Sequence, residues 1–385
     1  MKDVVIVAAV RSPMGRALKG QFANTRIDDL GADVVKACLQ KVPQLDLKDI
    51  EDVITGCAMP EGEQGMNIAR NISFLAGLPL TTAAVTVNRF CSSSLQTILM
   101  AAQAIQTGMG DVQLSVGVES MSHVPMGGFN PSLNPKLMQA GMPDAYVSMG
   151  ITAENLAKKY GISRSEQDEF ACASHAKAIA AMAQGLFANE IVSVNSVGRD
   201  GSTTSVNKDE GPRAETTVEK LAALKPVFLA GGTVTAGNSS PLTDGAAATL
   251  LMSADKAKAL GIKPLARIVT AAVAGCAPEL MGIGPVPAIQ KALKRAGMTL
   301  DQIDIVEINE AFAAQSLAVL KELQLDVKKV NPKGGAIALG HPLGCSGGRI
   351  MATLIQDLIH FDKKFGLETM CVGGGMGMAM IIERL

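Results

Sequence analysis

A cysteine lies where an extended run stops and an amphipathic helix begins, within "VNRFCSSSLQTI" at residues 87–98. The small and β-branched run 83–87 favours a buried strand, and apolar residues recur at helical spacing after Cys91. The sequence therefore predicts Cys91 at a strand-to-helix turn, near N–H groups at the positive end of a helix dipole. Such a place favours the nucleophilic thiolate, although many free cysteines are only apolar filler.

Three later stretches also combine chemistry-bearing residues with turn-forming ones. The glycine-rich stretch 331–348 contains His341, and "MCVGGGMG" at 370–377 places Cys371 at a strand end, directly before free backbone N–H groups. Glycine lets backbone approach a ligand or another turn closely, so both stretches fit either a site or a packing corner. Asn309 in "EINEAF" ends an apolar strand, where it also fits an ordinary helix N-cap.

A hydrolase interpretation competes at one of these turns. "GCSGG" matches the G-x-S-x-G motif, which would make Ser346 the nucleophile. That motif needs a strand running into Gly344, but His341 and Pro342 interrupt the run, and His360 is the one histidine downstream. Neither a complete dinucleotide-binding glycine motif nor a phosphate-binding P-loop motif occurs.

Composition narrows the class of protein. The chain has 385 residues, 48% of them apolar, with 39 glycines, no tryptophan and a net charge of -1, which indicates a large α/β protein and gives no sign of nucleic-acid binding. Its seven cysteines are scattered without metal-ligand spacing, so we expect reduced thiols in a cytoplasm-like compartment and no metal. The apolar run 4–10 is predicted as a first strand, and no stretch reads as a membrane span.

Two distant parts of the chain resemble each other. Segments 36–57 and 290–311 both read as a helix end, a polar connection and a strand, and three of their apolar pairs lie 253 residues apart. Cys91 and Cys345, 254 residues apart, each precede a predicted helix. The chain is therefore predicted to hold two copies of one α/β unit.

A segment of different character separates the copies. Residues 119–150 are rich in Met, Gly and Pro and are too long for an ordinary loop. "SRSE" at 163–166 predicts a capping box before a helix, and Asp200-Gly201 predicts a hairpin. We place an insert at about 119–245.

The motifs together resemble those of the thiolase family, in order along the chain from 1 to 385: "NRFCSSSLQ", "VGVESMS", "GTVTAGNSSPLTDGAAA", "INEAF", "NPKGGAIALGHPLGCSG" and "CVGGGMGMA". The resemblance implies an α/β thiolase fold, two βαβαβαββ repeats in a layered αβαβα arrangement with an inserted loop domain. The N-terminal repeat would comprise residues 1–118 plus about 246–262, the insert 119–245 would bind coenzyme A, and the C-terminal repeat would be 263–385.

The resemblance also implies roles for individual residues. Cys91 would be the acylated nucleophile, His341 would take its proton, and Cys371 would be the acid/base. Asn309 would hold a water that forms one oxyanion site with His341, and the N–H groups of Cys91 and Gly373 would form the other. Cleaving a carbon–carbon bond beside a ketone needs two such sites. It also needs a group that acts as acid and then as base, which suits a thiol whose site lowers its pKa.

The same resemblance implies the substrates. Arg213 and Ser240 would hold coenzyme A and Met149 would line the pantetheine channel, although Arg213 also fits a solvated loop charge. Coenzyme A is then a substrate, and no cofactor is expected. "NRFCSSS" resembles the degradative 3-ketoacyl-CoA thiolases, and Ser148 stands where biosynthetic members tend to carry histidine. Ser94 departs from the glycine common at its position.

Alternatives and partners stay open at this point. One alternative is condensation of two acetyl-CoA molecules, and another is a non-catalytic acyl-CoA-binding protein, which the full set of catalytic residue types disfavours. The resemblance implies a homodimer or homotetramer in the cytoplasm and allows a multifunctional β-oxidation subunit as partner. Four further cysteines and three histidines are assigned to packing or left without a role: Cys38, Cys57, Cys172, Cys276, His123, His175 and His360.

Overall fold

The first part of the chain alternates strands and helices, and the computed structural model describes residues 2–385. Its elements are β1 (Val4–Arg11), β2 (Gly15–Arg16), α1 (Ile27–Gln40), β3 (Ile50–Gly56), α2 (Ile68–Leu75), β4 (Ala83–Val87), α3 (Ser93–Gln106) and β5 (Val112–Ser120). The predicted first strand is confirmed. Strands β1 and β5 are buried along their whole length, which explains their small and apolar sequences.

The chain then leaves the sheet and rejoins it at β8 (Thr243–Ser253). Between lie α4 (Pro135–Gln139), α5 (Met149–Tyr160), α6 (Arg164–Ala183), β6 (Val194–Val197), β7 (Thr203–Val206) and α7 (Val218–Ala222). The predicted capping box is present, since Ser163 and Glu166 each bond the other's backbone at the start of α6. The predicted hairpin is also present, because β6 and β7 pair antiparallel.

The last part repeats the first except for two added short helices and one reduced strand. Its elements are α8 (Ala254–Ala259), β9 (Ala266–Gly275), α9 (Pro285–Ala296), β10 (Ile305–Ile308), α10 (Ala313–Leu323), α11 (Ala336–Leu339), α12 (Ser346–His360), β11 (Phe365–Val372) and β12 (Met376–Arg384). The strand expected between α10 and α12 is reduced to one bridge, Val306 with Val330. Pro332 has no N–H and Gly334 has a φ of +78°, so the extended run stops there.

The elements form five layers. The strand order is β10-β11-β12-β9-β1-β8-β5-β3-β4, and a short β1–β9 pairing joins the two halves. Helices α1 and α2 pack on the outside of the first half, and α9 and α10 pack on the outside of the second. Helices α3 and α12 lie together between the halves, which confirms the αβαβα arrangement. Within residues 2–385, no helix combines the length and the hydropathy that crossing a membrane requires.

The two central helices interlock closely. Each is preceded by a short 3₁₀ turn, Phe90–Ser92 before α3 and Leu343–Cys345 before α12. The Ser94 hydroxyl accepts the Gly348 N–H at 2.8 Å. A Cβ atom at Gly347 would lie 2.3 Å from the Leu95 nitrogen, so glycine is what permits this approach.

One strand differs from its predicted environment. Strand β4 was expected to be buried, but it ends the sheet order and pairs with β3 alone within the described residues. None of its five residues is fully buried, and Val85 is 38% exposed. Small β-branched sequences are equally compatible with an edge strand, and the sequence pattern does not distinguish the two.

Candidate active site

The turn that carries Cys91 is held in shape by neighbouring side chains. Phe90 has a φ of +43°, a strained conformation for a bulky residue. The Asn88 side-chain oxygen accepts the Phe90 N–H at 2.7 Å, and the Ser93 hydroxyl donates to the Phe90 carbonyl at 2.7 Å. These roles of Asn88 and Ser93 were not predicted from the sequence. The available signal was an asparagine two residues before the strained position, a common turn arrangement.

The Cys91 thiol is a neutral group in this environment. Burial raises its pKa to about 11, while the N–H groups of Gly373 and Cys91 lower it only in part. The expectation that the turn favours a thiolate is therefore wrong for the protein with nothing bound. A few N–H dipoles do not compensate for the loss of water around a buried anion.

His341 lies on the loop before the 3₁₀ turn that precedes α12. Its Nδ1 is 2.5 Å from the Ser346 hydroxyl, and its Nε2 is 3.3 Å from the Asn309 amide nitrogen. Burial and then the Arg349 charge lower the pKa of His341 to about 3. The imidazole is thus neutral and able to accept a proton.

Cys371 and Gly373 stand at the end of β11, where the chain turns toward β12. Cys371 is fully buried, and burial together with the neighbouring Cys91 thiol raises its pKa well above the ordinary value. The expectation of a lowered pKa for Cys371 is wrong for the same reason as for Cys91. The backbone N–H of Gly373 faces the Cys91 sulfur and lowers the pKa of that thiol, so the two turns meet.

Asn309 lies beyond β10, but it is not the N-cap of the next helix. Helix α10 begins at Ala313, and Phe312 holds its N-cap position. Asn309 is fully buried, and its side-chain oxygen has no hydrogen-bond partner within the described residues. A buried amide held against His341 with one free acceptor suits a site better than a cap.

These side chains converge on one cavity of about 900 Å³. Cys91, His341, Cys371 and Gly373 all line it, whereas Asn309 contacts His341 but is not part of the cavity wall. The remaining walls are mostly apolar. They include Met59, Phe90, Met121, Tyr146, Phe228 and Leu343.

The three residues expected to bind coenzyme A also line this cavity. Met149 begins α5, Ser240 precedes β8, and Arg213 lies at an exposed position in the insert. Arg213 contacts His175 through both its backbone and its guanidinium, at 3.2 Å each. Arg16, which was not predicted from the sequence, lines the cavity as well. The pKa of Arg213 is lowered mainly by burial and to a smaller extent by the positive charge of Arg16.

Glu119 is a further residue beside the cavity whose role was not predicted from the sequence. Its buried carboxylate accepts N–H groups from Ala58 at 2.8 Å and Gly344 at 2.7 Å, and the side-chain amide of Gln64 at 3.0 Å. It therefore ties together turns of both halves beside the cavity. The signal was a glutamate within the otherwise uncharged strand β5.

The hydrolase interpretation of Ser346 is wrong. A 3₁₀ turn, and not a strand, leads into Gly344, and Ser346 is fully buried. Its hydroxyl donates to the Pro342 carbonyl at 2.9 Å and does not line the cavity. It has none of the exposure that a nucleophile on a strand-to-helix turn requires.

The chain belongs to the thiolase family. The model of the thiolase N-terminal domain matches residues 4–255, and that of the thiolase C-terminal domain matches residues 262–384. The resemblance stated from the motifs is thereby confirmed.

Several named proteins are similar to this chain along its whole length. A 3-ketoacyl-CoA thiolase of Idiomarina loihiensis is 53% identical over 392 residues and covers 100% of both chains. One of a Marinomonas species is 54% identical over 390 residues, covering 100% of this chain and 98% of the relative. Human mitochondrial 3-ketoacyl-CoA thiolase has a TM-score of 0.91 at 40% identity, and Bacillus anthracis acetyl-CoA acetyltransferase has 0.92 at 42%; each comparison covers 100% of this chain and 99% of the other.

Proposed function

We propose that this thiolase is a 3-ketoacyl-CoA thiolase, an acyltransferase that cleaves 3-ketoacyl-CoA with coenzyme A into acetyl-CoA and a shortened acyl-CoA. The observation that carries the proposal is the meeting of Cys91, Cys371 and His341 on one largely apolar cavity. The relatives named 3-ketoacyl-CoA thiolase support the substrate class. Fatty acid β-oxidation is the process in which such cleavage belongs.

The first half-reaction transfers the acyl group to Cys91. As the sulfur attacks the ketone carbon, its proton passes to Nε2 of His341, because neither group is charged beforehand. The carbon–carbon bond then breaks, and the enolate of acetyl-CoA takes the proton of the Cys371 thiol. The N–H groups of Cys91 and Gly373 are suited to the oxygen of the attacked ketone, since both face the Cys91 sulfur.

The enolate oxygen needs a second set of donors. We assign it to His341, then protonated, and to a water held by Asn309, whose free side-chain oxygen supports that role. In the second half-reaction the Cys371 thiolate takes the proton of the coenzyme A thiol. The resulting thiolate attacks the acyl group on Cys91, and His341 returns its proton to the departing Cys91 sulfur. All groups regain their starting states, and no metal or redox cofactor is required.

The insert is proposed to hold coenzyme A. Arg213 supplies a cation for phosphate, Ser240 a polar contact, and Met149 an apolar wall for pantetheine, since all three line the cavity. Condensation of two acetyl-CoA molecules is the same chemistry in reverse and remains the second candidate. The solved acetyl-CoA acetyltransferase at 42% identity favours keeping it.

We also propose a homo-oligomer in the cytoplasm, built at least as a dimer. The outer edge of β4 is unpaired within the described residues, and nearby side chains are apolar and exposed, among them Leu80 at 78% and Met66 at 92%. An unpaired edge beside apolar residues is typical of an interface. Sedimentation tests this, and a stable monomer of 39.9 kDa at micromolar concentration would contradict it.

Two measurements test the function. Incubation with acetyl-CoA followed by peptide mass mapping is expected to find the acetyl group on Cys91; finding it on Cys345 or Cys371 would refute the assignment. Turnover with acetoacetyl-CoA and with longer 3-ketoacyl-CoA substrates distinguishes the candidates. A degradative enzyme processes the longer chains, whereas turnover of acetoacetyl-CoA alone would favour the biosynthetic alternative.

A further inference from the structure

His341 has two ring nitrogens, and their contacts decide which one carries the proton. Nδ1 lies 2.5 Å from the Ser346 hydroxyl oxygen, and Nε2 lies 3.3 Å from the Asn309 amide nitrogen. Burial and the Arg349 charge lower the pKa of His341, so the imidazole is neutral. A neutral imidazole carries one proton, and only the nitrogen without it can accept another from Cys91.

The Ser346 hydroxyl has a second neighbour, the carbonyl oxygen of Pro342 at 2.9 Å. A carbonyl only accepts, so this contact is a hydrogen bond only if the hydroxyl gives its single proton to Pro342. The contact with Nδ1 is then a hydrogen bond only if Nδ1 donates to the hydroxyl oxygen. Both contacts are therefore hydrogen bonds in one arrangement, with the proton of His341 on Nδ1.

With the His341 proton on Nε2 instead, two acceptors would face each other at Ser346 and two donors would face each other at Asn309. If Ser346 donated to Nδ1, the hydroxyl oxygen and the Pro342 carbonyl would be two oxygens in contact at 2.9 Å with no proton between them. Nε2 would carry the proton and face the Asn309 amide nitrogen, a second donor. Ser346, Asn309 and His341 are all buried, so bulk water does not relieve these conflicts.

We propose that Ser346 is a positioning residue, which holds the His341 proton on Nδ1 and leaves Nε2 unprotonated, so that Nε2 is the nitrogen that takes the proton of Cys91. Until then Nε2 accepts the Asn309 amide N–H at 3.3 Å. This inference rests on the proposed role of His341 as the base. Ser346 acts through the imidazole, since it does not line the cavity. The neutral Ser346 hydroxyl orients the imidazole, but it does not raise the pKa of His341 as a carboxylate in its place would. The Cys91 thiol and the His341 imidazole therefore both stay neutral at rest.

A matched pair of variants tests the role in catalysis. In Ser346→Ala, the single-turnover acylation rate with acetyl-CoA is expected to fall about 10- to 100-fold, or about 1.4–2.7 kcal/mol, with the KM unchanged. Ser346→Thr keeps the hydroxyl and is expected to recover most of the rate. Ser73→Ala is the control, because Ser73 is buried and donates to a carbonyl four residues earlier, as Ser346 does, but contacts no imidazole. An Ser346→Ala rate within twofold of the wild type would overturn the proposal.

The tautomer itself can be observed by ¹⁵N nuclear magnetic resonance of histidine-labelled protein. The chain has four histidines, and the His341 signals are identified by their loss in His341→Asn. We expect the proton on Nδ1 in the wild type and a shift toward Nε2 in Ser346→Ala. A proton on Nε2 in the wild type would refute the arrangement. If His341→Asn acylated at the wild-type rate, the base assignment would fail separately, and the ring signals would still decide the Ser346 contact.

Discussion

The neutral resting state of Cys91 leads to a prediction about its reactivity with iodoacetamide. Only the thiolate reacts, and the Cys91 pKa of about 11 compares with an ordinary value of 9.0. At pH 8 the thiolate fraction is then about a hundredfold lower than for an ordinary thiol. A thiolate of higher pKa is intrinsically more nucleophilic, by about eightfold for this difference. The net expectation is alkylation about tenfold slower than for an exposed cysteine, before steric access is considered.

The pH dependence of the alkylation rate distinguishes the effect of thiol ionisation from the effect of steric access to Cys91. Between pH 6 and 9.5 the alkylation rate of Cys91 is expected to rise about tenfold per pH unit without a plateau, because access does not depend on pH in this way. The rate is measured from the Cys91 peptide by mass spectrometry after a denaturing quench, which excludes the other six cysteines. The unfolded chain in urea supplies the ordinary thiol for comparison.

His341→Asn provides the matched control. If the thiol and imidazole are both neutral at rest, removing the imidazole changes the alkylation rate by less than about threefold. A preformed thiolate–imidazolium pair would instead give a plateau by about pH 7 and a large loss in the variant. Either of those results would refute the reasoning from burial.

Three further predictions follow from the described contacts. In Cys371→Ser, overall thiolysis should fall at least about a hundredfold, because serine is too weak an acid for the enolate step. Single-turnover acylation by acetyl-CoA should fall by a smaller factor, because there Cys371 protonates only the departing coenzyme A thiolate, which is a weaker base than an enolate; equal losses would refute the division of work. Arg213→Ala should raise the KM for coenzyme A about tenfold at unchanged kcat, and a fall in kcat alone would assign the arginine another role. Gly347→Ala should lower the free energy of unfolding by about 1–3 kcal/mol in urea titrations, since its Cβ would overlap Leu95. Gly275→Ala is the control, because its Cβ would meet the Gly375 carbonyl oxygen at 3.9 Å, an ordinary van der Waals contact.

The two repeats and the residue types of the site could be predicted from the sequence. The capping box, the hairpin and the two turns before α3 and α12 follow local rules, so their signals lie within a few residues. The motifs of a known family supplied the roles of Cys91, His341 and Cys371, which no spacing rule alone would have given. These roles stay predictions until the variants are measured.

Other features depend on contacts between distant segments. Whether β4 is central or at an edge depends on which strands lie beside it, and its five residues do not record that. The pKa of Cys91 depends on how completely other loops bury it, which outweighs its own N–H groups. The Glu119 contacts join residues about 60 and 225 positions away, and a single sequence gives no measure of such pairs.

The close approach of α3 and α12 has a consequence for how the chain unfolds. The matched family models divide the chain between residues 255 and 262, which suggests two separable units. The central layer contradicts such independence, because Leu95 of one half contacts Gly347 of the other and both helices share one apolar cluster. Either half alone would leave that cluster open to water. We therefore expect both halves to melt in one cooperative transition, so that neither is lost without the other.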